Sequence, residues 1–114
     1  MTECLFCRIA SGEVAAQIVY EDDMVVAFRD INPRAPMHLL IVPRRHVASL
    51  ADLGPTDEEL VGHAVRVSAQ LAGADEAAER GFRLVANCGP EAGQSVDHLH
   101  FHLLAGRPLG WPPG

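Results

Sequence analysis

The sequence predicts an α+β domain in which one long helix covers a face of an antiparallel sheet. Three observations carry that expectation. Residues 56–73 place apolar side chains at helical spacing. Five short apolar segments, 18–20, 25–30, 38–42, 82–86 and 98–104, are separated by turn-favouring residues. The first three follow one another closely enough to suggest a meander.

Each element has its own signal. Residues 4–10 are a short helix closed by Ser11-Gly12. The strand at 18–20 turns through Glu21-Asp22-Asp23 into 25–30, and Asn32-Pro33-Arg34-Ala35-Pro36 interrupts regular structure before 38–42, which Pro43 stops. The long helix starts at Thr56, where Thr56 and Glu59 fit a capping box. Its apolar face is Leu60, Ala64, Val67 and Leu71, and Gly73 ends it. His63 lies on the same helix and is read as solvated. A fourth strand at 82–86 leads into the glycine-containing loop 87–95, and a fifth covers 98–104. The proline-rich tail from Gly110 to Gly114 is extended on a surface. The sheet face away from the long helix must be covered or carry a site.

The 114 residues fit one domain, 1–114, with a modest core; a dimer or a bound metal would add stability. The net charge is −6, with nine arginines and no lysine. That balance argues against a polynucleotide partner but not against one mononucleotide, whose charges backbone amides can meet. No run approaches the roughly 20 apolar residues of a membrane span. The first residues lack a basic-then-apolar leader, so the expected location is cytoplasmic, with the three cysteines reduced.

His98-Leu99-His100-Phe101-His102-Leu103-Leu104 is the most informative segment. On a strand, His98, His100 and His102 share one side, while Leu99, Phe101 and Leu103 share the other and pack under the helix. A structural role for three alternating imidazoles is the bland alternative. Three ligands of one metal would require the outer rings, about 13 Å apart along a strand, to lean far inward. Nucleophilic catalysis requires a neutral, accessible middle ring whose second nitrogen is oriented by a hydrogen bond.

The segment resembles the His-φ-His-φ-His-φ-φ motif of the histidine triad (HIT) family of nucleotide hydrolases and transferases. The likeness extends through 28–36, Gly93-Gln94-Ser95-Val96 and the end Trp111-Pro112-Pro113-Gly114, which points to the Hint branch of purine nucleoside phosphoramidases. The resemblance implies an enzyme that cleaves the P–N bond of purine nucleoside 5′-phosphoramidates, of AMP-amine, GMP-amine or AMP-lysine type, through a nucleotidyl-histidine intermediate. His100 would attack, His102 would contact the phosphate and leaving group, and His38 would relay protons. Ser95 and Asn87 would hydrogen-bond the phosphate or leaving group, and amides of Gly93, Gln94, Ser95 and Val96 would hold phosphoryl oxygens. Asp30 would accept from the ribose hydroxyls. Leu5, Phe6, Ile9, Phe28 and Ile31 would line the base pocket. The resemblance also implies a homodimer joining two five-stranded sheets into ten strands, with Trp111 reaching the partner's site.

Cys4-x-x-Cys7 is a metal or redox spacing that supplies two ligands, with His46 and His98 available as two more. Some bacterial members of the family carry a zinc site at matching positions. The expectation is a structural Zn²⁺ on Cys4, Cys7, His46 and His98 that catalysis does not require. Packing by the cysteines, with His46 solvated, is the alternative. Cys88 has no assigned role. Two other functions stay open at this point: hydrolysis of dinucleoside polyphosphates, and nucleotide binding by a regulatory module without a catalytic role.

Overall fold

The α+β architecture is present in the computed structural model, which describes residues 3–114. The strands are β1 (Ile18–Glu21), β2 (Val25–Arg29), β3 (Met37–Pro43), β4 (Phe82–Val85) and β5 (Phe101–Ala105). They form one antiparallel sheet in the order β1-β2-β3-β5-β4, flanked by the short helix α1 (Leu5–Ala10) and the long helix α2 (Glu58–Gly73). No helix among the described residues is long and apolar enough to cross a membrane.

Alternation along the strands sorts the side chains into two layers. Ala27, Leu39, Ile41, Phe101 and Leu103 pack in one core with Leu60, Ala64 and Val67 of α2. Val26, Phe28, Leu40 and Val42 form the other, closed by Phe6 and Ile9 of α1. A six-residue helix does not persist on its own. Burying a side chain such as Phe6 contributes about 1.5–3 kcal/mol, and Cys4 Sγ accepts the Cys7 N–H at the helix start. The cap steadies the first turn, and the burial of Phe6 and Ile9 holds α1 across the second face.

Five details differ from the sequence expectations. Pro55–Asp57 form a 3-10 turn, so α2 starts at Glu58. The cap is not the Thr56/Glu59 pair: Gly54 N–H donates to Asp57 Oδ2 at 2.8 Å, and Arg45 donates to the other oxygen of that carboxylate. Leu71 is only half-buried, whereas Ser68 and Ala72 are buried; the Ser68 hydroxyl donates back to Ala64 O at 2.8 Å, which makes its burial tolerable. His63 is not simply solvated, since its Nε2 lies 2.6 Å from Asp22 Oδ2. Finally, β5 starts at Phe101 rather than at 98, because Leu99 N–H donates to Val47 O at 2.6 Å and leaves the strand ladder.

Candidate active site

β3 and β5 deliver the polar cluster. His38 pairs with Leu104 and Leu40 with His102 across the two strands. His38 and His102 are therefore diagonal neighbours on one face, within reach of long side chains. His38 Nε2 lies 2.9 Å from His102 Nδ1 and 3.4 Å from Asp30 Oδ2. Asp30, just after β2, also accepts the Asn32 N–H on Oδ1 at 2.8 Å, which sets the turn.

Backbone partners assign the ring protons, because an amide can only donate and a carbonyl can only accept. Arg34 N–H donates to His38 Nδ1 at 3.0 Å, so a neutral His38 carries its proton on Nε2 and gives it to His102 Nδ1. A neutral His102 then presents Nε2–H outward. His100 Nδ1–H donates to His98 O at 2.8 Å, which leaves the lone pair on Nε2. His98 Nε2–H donates to Pro43 O at 2.8 Å, which leaves the lone pair on Nδ1.

The expectation of an exposed ring at position 100 is corrected: His100 is 4% exposed. Phe6 meets it edge-on at 5.1 Å and His102 lies 5.0 Å away, because α1 crosses this face. The ring nevertheless belongs to the side of the sheet opposite the α2 core. Among the described residues, Arg8 Nε is the only buried side-chain nitrogen or oxygen without a hydrogen-bond partner. His100 Nε2, which also lacks one, therefore keeps contact with solvent. Burial favours the neutral form of the His38 and His102 rings. Burial, with help from His100 and His38, lowers the His102 pKa to about 4 despite Asp30. Burial also lowers that of His38, opposed by Asp30 and aided by Arg34.

A cavity of about 550 Å³ joins Asp30, His38, Asn87 and His102. Its far wall is the C-terminal segment, fixed by Arg83 Nη2 donating to Gly110 O at 2.7 Å and Arg107 Nε donating to Arg34 O at 2.7 Å. Ser95 is exposed and does not line this cavity. The loop before it folds on itself. Gly93, at φ +85°, donates its N–H to Pro90 O, and Gln94 N–H donates to Gly89 O. The Gln94 side chain is spent on Ala48 O, Val96 O and the Gly89 amide, so it braces the loop. The amides of Ser95 and Val96 carry no such bond and stay available.

The residues expected around a base are divided. Phe6, Ile9 and Phe28 are buried in the second core layer, whereas Leu5 and Ile31 are exposed, Ile31 at 92%. Trp111 is 83% exposed. The Arg34 amide, the Pro43 carbonyl and the two arginines that pin the tail have no signature in the sequence, because their roles depend on chain crossing and not on residue type at a spacing.

Among the described residues, two groups have the composition of a metal site: Cys4, Cys7, His46 and His98, and Asp30, His38 and His102. The proton assignments separate them. His38 Nδ1 is occupied by an amide and Nε2 carries hydrogen, so the second group is a hydrogen-bond chain. In the first, His98 Nδ1 lies 3.3 Å from Cys4 Sγ, 3.5 Å from Cys7 Sγ and 3.2 Å from His46 Nδ1, with Cys7 Sγ 3.4 Å from His46 Nδ1. A tetrahedron with Zn–S about 2.3 Å and Zn–N about 2.0–2.1 Å has S···N edges of about 3.5 Å and an N···N edge of about 3.3 Å. The donor set and its spacing fit such an ion.

A histidine-rich sheet face beside a cysteine–histidine cluster points to a class of protein, and comparison gives that class. Residues 11–109 match the HIT domain, and the chain belongs to that family. It is 44% identical over 108 residues to the purine nucleoside phosphoramidase of Escherichia coli K12, covering 95% of this chain and 91% of that one. It is 46% identical over 112 residues to a HIT-like protein of Synechocystis sp., covering 98% and 97%. A HIT family hydrolase from Legionella pneumophila superposes with a TM-score of 0.96 at 48% identity, covering 98% of this chain and all of that one.

Proposed function

We propose that this chain, acting as a single domain, hydrolyses the P–N bond of purine nucleoside 5′-phosphoramidates. The observation that carries the reading is the His100 ring, with Nδ1–H anchored on His98 O and an unpartnered Nε2. The activity for which the E. coli relative is named supports the choice of reaction.

In this reading the Nε2 lone pair of His100 attacks the α-phosphorus opposite the amine, forming a P–N bond to the ring as the bond to the leaving amine breaks. The departing nitrogen takes the Nε2 proton of His102, which is replenished at Nδ1 from His38. Water then displaces His100 from phosphorus, its proton returning through His102 to His38, and the nucleoside monophosphate leaves. Ser95, Asn87 and the free amides of Ser95 and Val96 hold the phosphoryl oxygens, while Gly93 and Gln94 shape the loop that presents them. Asp30 takes the ribose hydroxyls, and the base lies toward Leu5 and Ile31 over Phe6, Ile9 and Phe28. The working form is a homodimer that extends the sheet and brings Trp111 to the partner's site.

The Cys4, Cys7, His46 and His98 cluster would hold Zn²⁺, which would staple α1 to the segments around β3 and β5. Elemental analysis of protein purified without added metal checks this, with about one zinc per chain expected.

Brief acid quench after mixing with adenosine 5′-phosphoramidate should trap an adenylated His100, detected by mass. His100→Ala should abolish turnover yet still bind AMP. Undiminished turnover by that variant ends the proposal.

A further inference from the structure

The carbonyl that orients His100 is not held by the sheet. Pairing between β3 and β5 starts at Ile41 with Phe101, and residues 94–100 have no regular secondary structure. The His98 peptide unit is held by the Leu99 N–H donating to Val47 O at 2.6 Å, and His98 is fixed further by contacts around its own ring, which is fully buried. Nε2–H sits on Pro43 O at 2.8 Å, and Nδ1 faces both cysteines and His46 at 3.2–3.5 Å. The same residue's carbonyl accepts the Nδ1–H of His100 at 2.8 Å. A second contact runs in parallel: Phe6, between Cys4 and Cys7 in the sequence, packs edge-on against His98 at 5.9 Å and His100 at 5.1 Å.

We propose that the Cys4–Cys7–His46–His98 cluster, closed on a thiolate-binding cation such as Zn²⁺, holds the His98 carbonyl and Phe6 against His100, so that His98 is a positioning residue for the reaction. The inference rests on His100 being the nucleophile. It departs from a purely structural metal, whose loss would leave turnover intact in a folded protein.

The physical consequence is selective. Opening the cluster removes the Nδ1-side anchor of the His98 ring and the tie between the cysteines of the α1 segment and that ring, so the His98 carbonyl and Phe6 are held less firmly beside His100. The Pro43 and Val47 hydrogen bonds and the Phe6 packing are the anchors that remain. A nucleophile displaced by about 1 Å loses about 100-fold in rate. Asp30 and Asn87 come from other segments, so the polar hold on the nucleotide should persist even as α1 loosens beside the base.

The test compares zinc-loaded wild type, wild type stripped by chelator and then reloaded with Zn²⁺ or Cd²⁺, and Cys7→Ser, which removes a thiolate while sparing the Cys4 cap. Metal content, kcat and KM on adenosine 5′-phosphoramidate, and AMP affinity are measured. Imidazole ¹H–¹⁵N spectra report the carbonyl-bonded Nδ1–H of His100, and circular dichroism reports folding. Expected is a kcat loss of about 10- to 100-fold in both metal-free forms, with AMP affinity falling by a clearly smaller factor and the Nδ1–H signal lost. Both return on reloading the wild type. A folded, metal-free protein with undiminished kcat and an unchanged signal overturns the proposal. So does a protein that takes up no cation, or one that loses kcat and AMP affinity in equal measure. If zinc-loaded wild type cleaves no phosphoramidate, the functional reading fails, while the imidazole spectrum still decides whether the cluster holds His100.

Discussion

Nε2 of His38 lies 2.9 Å from Nδ1 of His102, and the proton between them belongs to His38 because the Arg34 amide occupies its other nitrogen. One backbone N–H thus sets the polarity of a two-ring chain whose outer end is the Nε2–H of His102.

That polarity makes His38 matter most when the leaving amine is basic. His38→Ala should slow turnover of an alkylamine phosphoramidate by about 10²-fold or more. An arylamine leaving group, which departs with less proton help, should lose much less. Equal losses for both would show that the chain does not feed the leaving group. Steady-state kcat on the two substrates decides.

Acid should destabilise the fold through the same pair. His102 titrates at about 4 when folded against an ordinary value of about 6.5. Between those values the unfolded chain takes up a proton that the native ring refuses, so stability falls as pH falls from 6.5 toward 4. The expected loss is on the order of 2 kcal/mol by pH 4. His38, also lowered, acts in the same direction. His102→Gln should flatten this slope relative to wild type in denaturant titrations run at each pH.

Asp22 ties the first hairpin to α2. Burial pushes its carboxyl up, but the His63 ring, the amides of Val25 and Met24 and the Tyr20 hydroxyl together hold it well below the usual range. Its contribution is present above the ordinary carboxyl value of about 3.9 and fades as pH drops further toward the folded value. Asp22→Ala should cost about 1–3 kcal/mol, since it leaves two amides and a phenol without their acceptor. His63→Ala, which removes one part-buried partner and leaves the amides and phenol on Asp22, should cost less, about 0.5–1.5 kcal/mol. Urea unfolding of both variants at pH 7 tests the order.

Gly106 follows β5 with φ +99°, and a Cβ there would stand 2.8 Å from Pro36 Cβ. The backbone is unfavourable for an L side chain and the obstacle is a rigid ring. Gly106→Ala should therefore lower stability by about 1–3 kcal/mol, whereas Gly62→Ala, in open space on α2, should be neutral or stabilising. Thermal melts of the two variants side by side give the comparison.

Much of the architecture was legible in the residues themselves. Period-two alternation put Leu99, Phe101 and Leu103 under α2, helical spacing located Leu60, Ala64 and Val67, and Gly73 closed the helix. These are local properties, set by which face of an element meets water. The chemistry-bearing types were legible too, as imidazoles and thiols at short spacings in one chain. Tertiary structure decided what each atom does. Which nitrogen of His38, His98 or His100 holds a proton depends on an amide at 34 and carbonyls at 43 and 98. Residue spacing does not encode those crossings. The burial of His100 under α1 likewise arises from contact with Phe6, 94 positions away, and no local pattern registers a packing partner that distant.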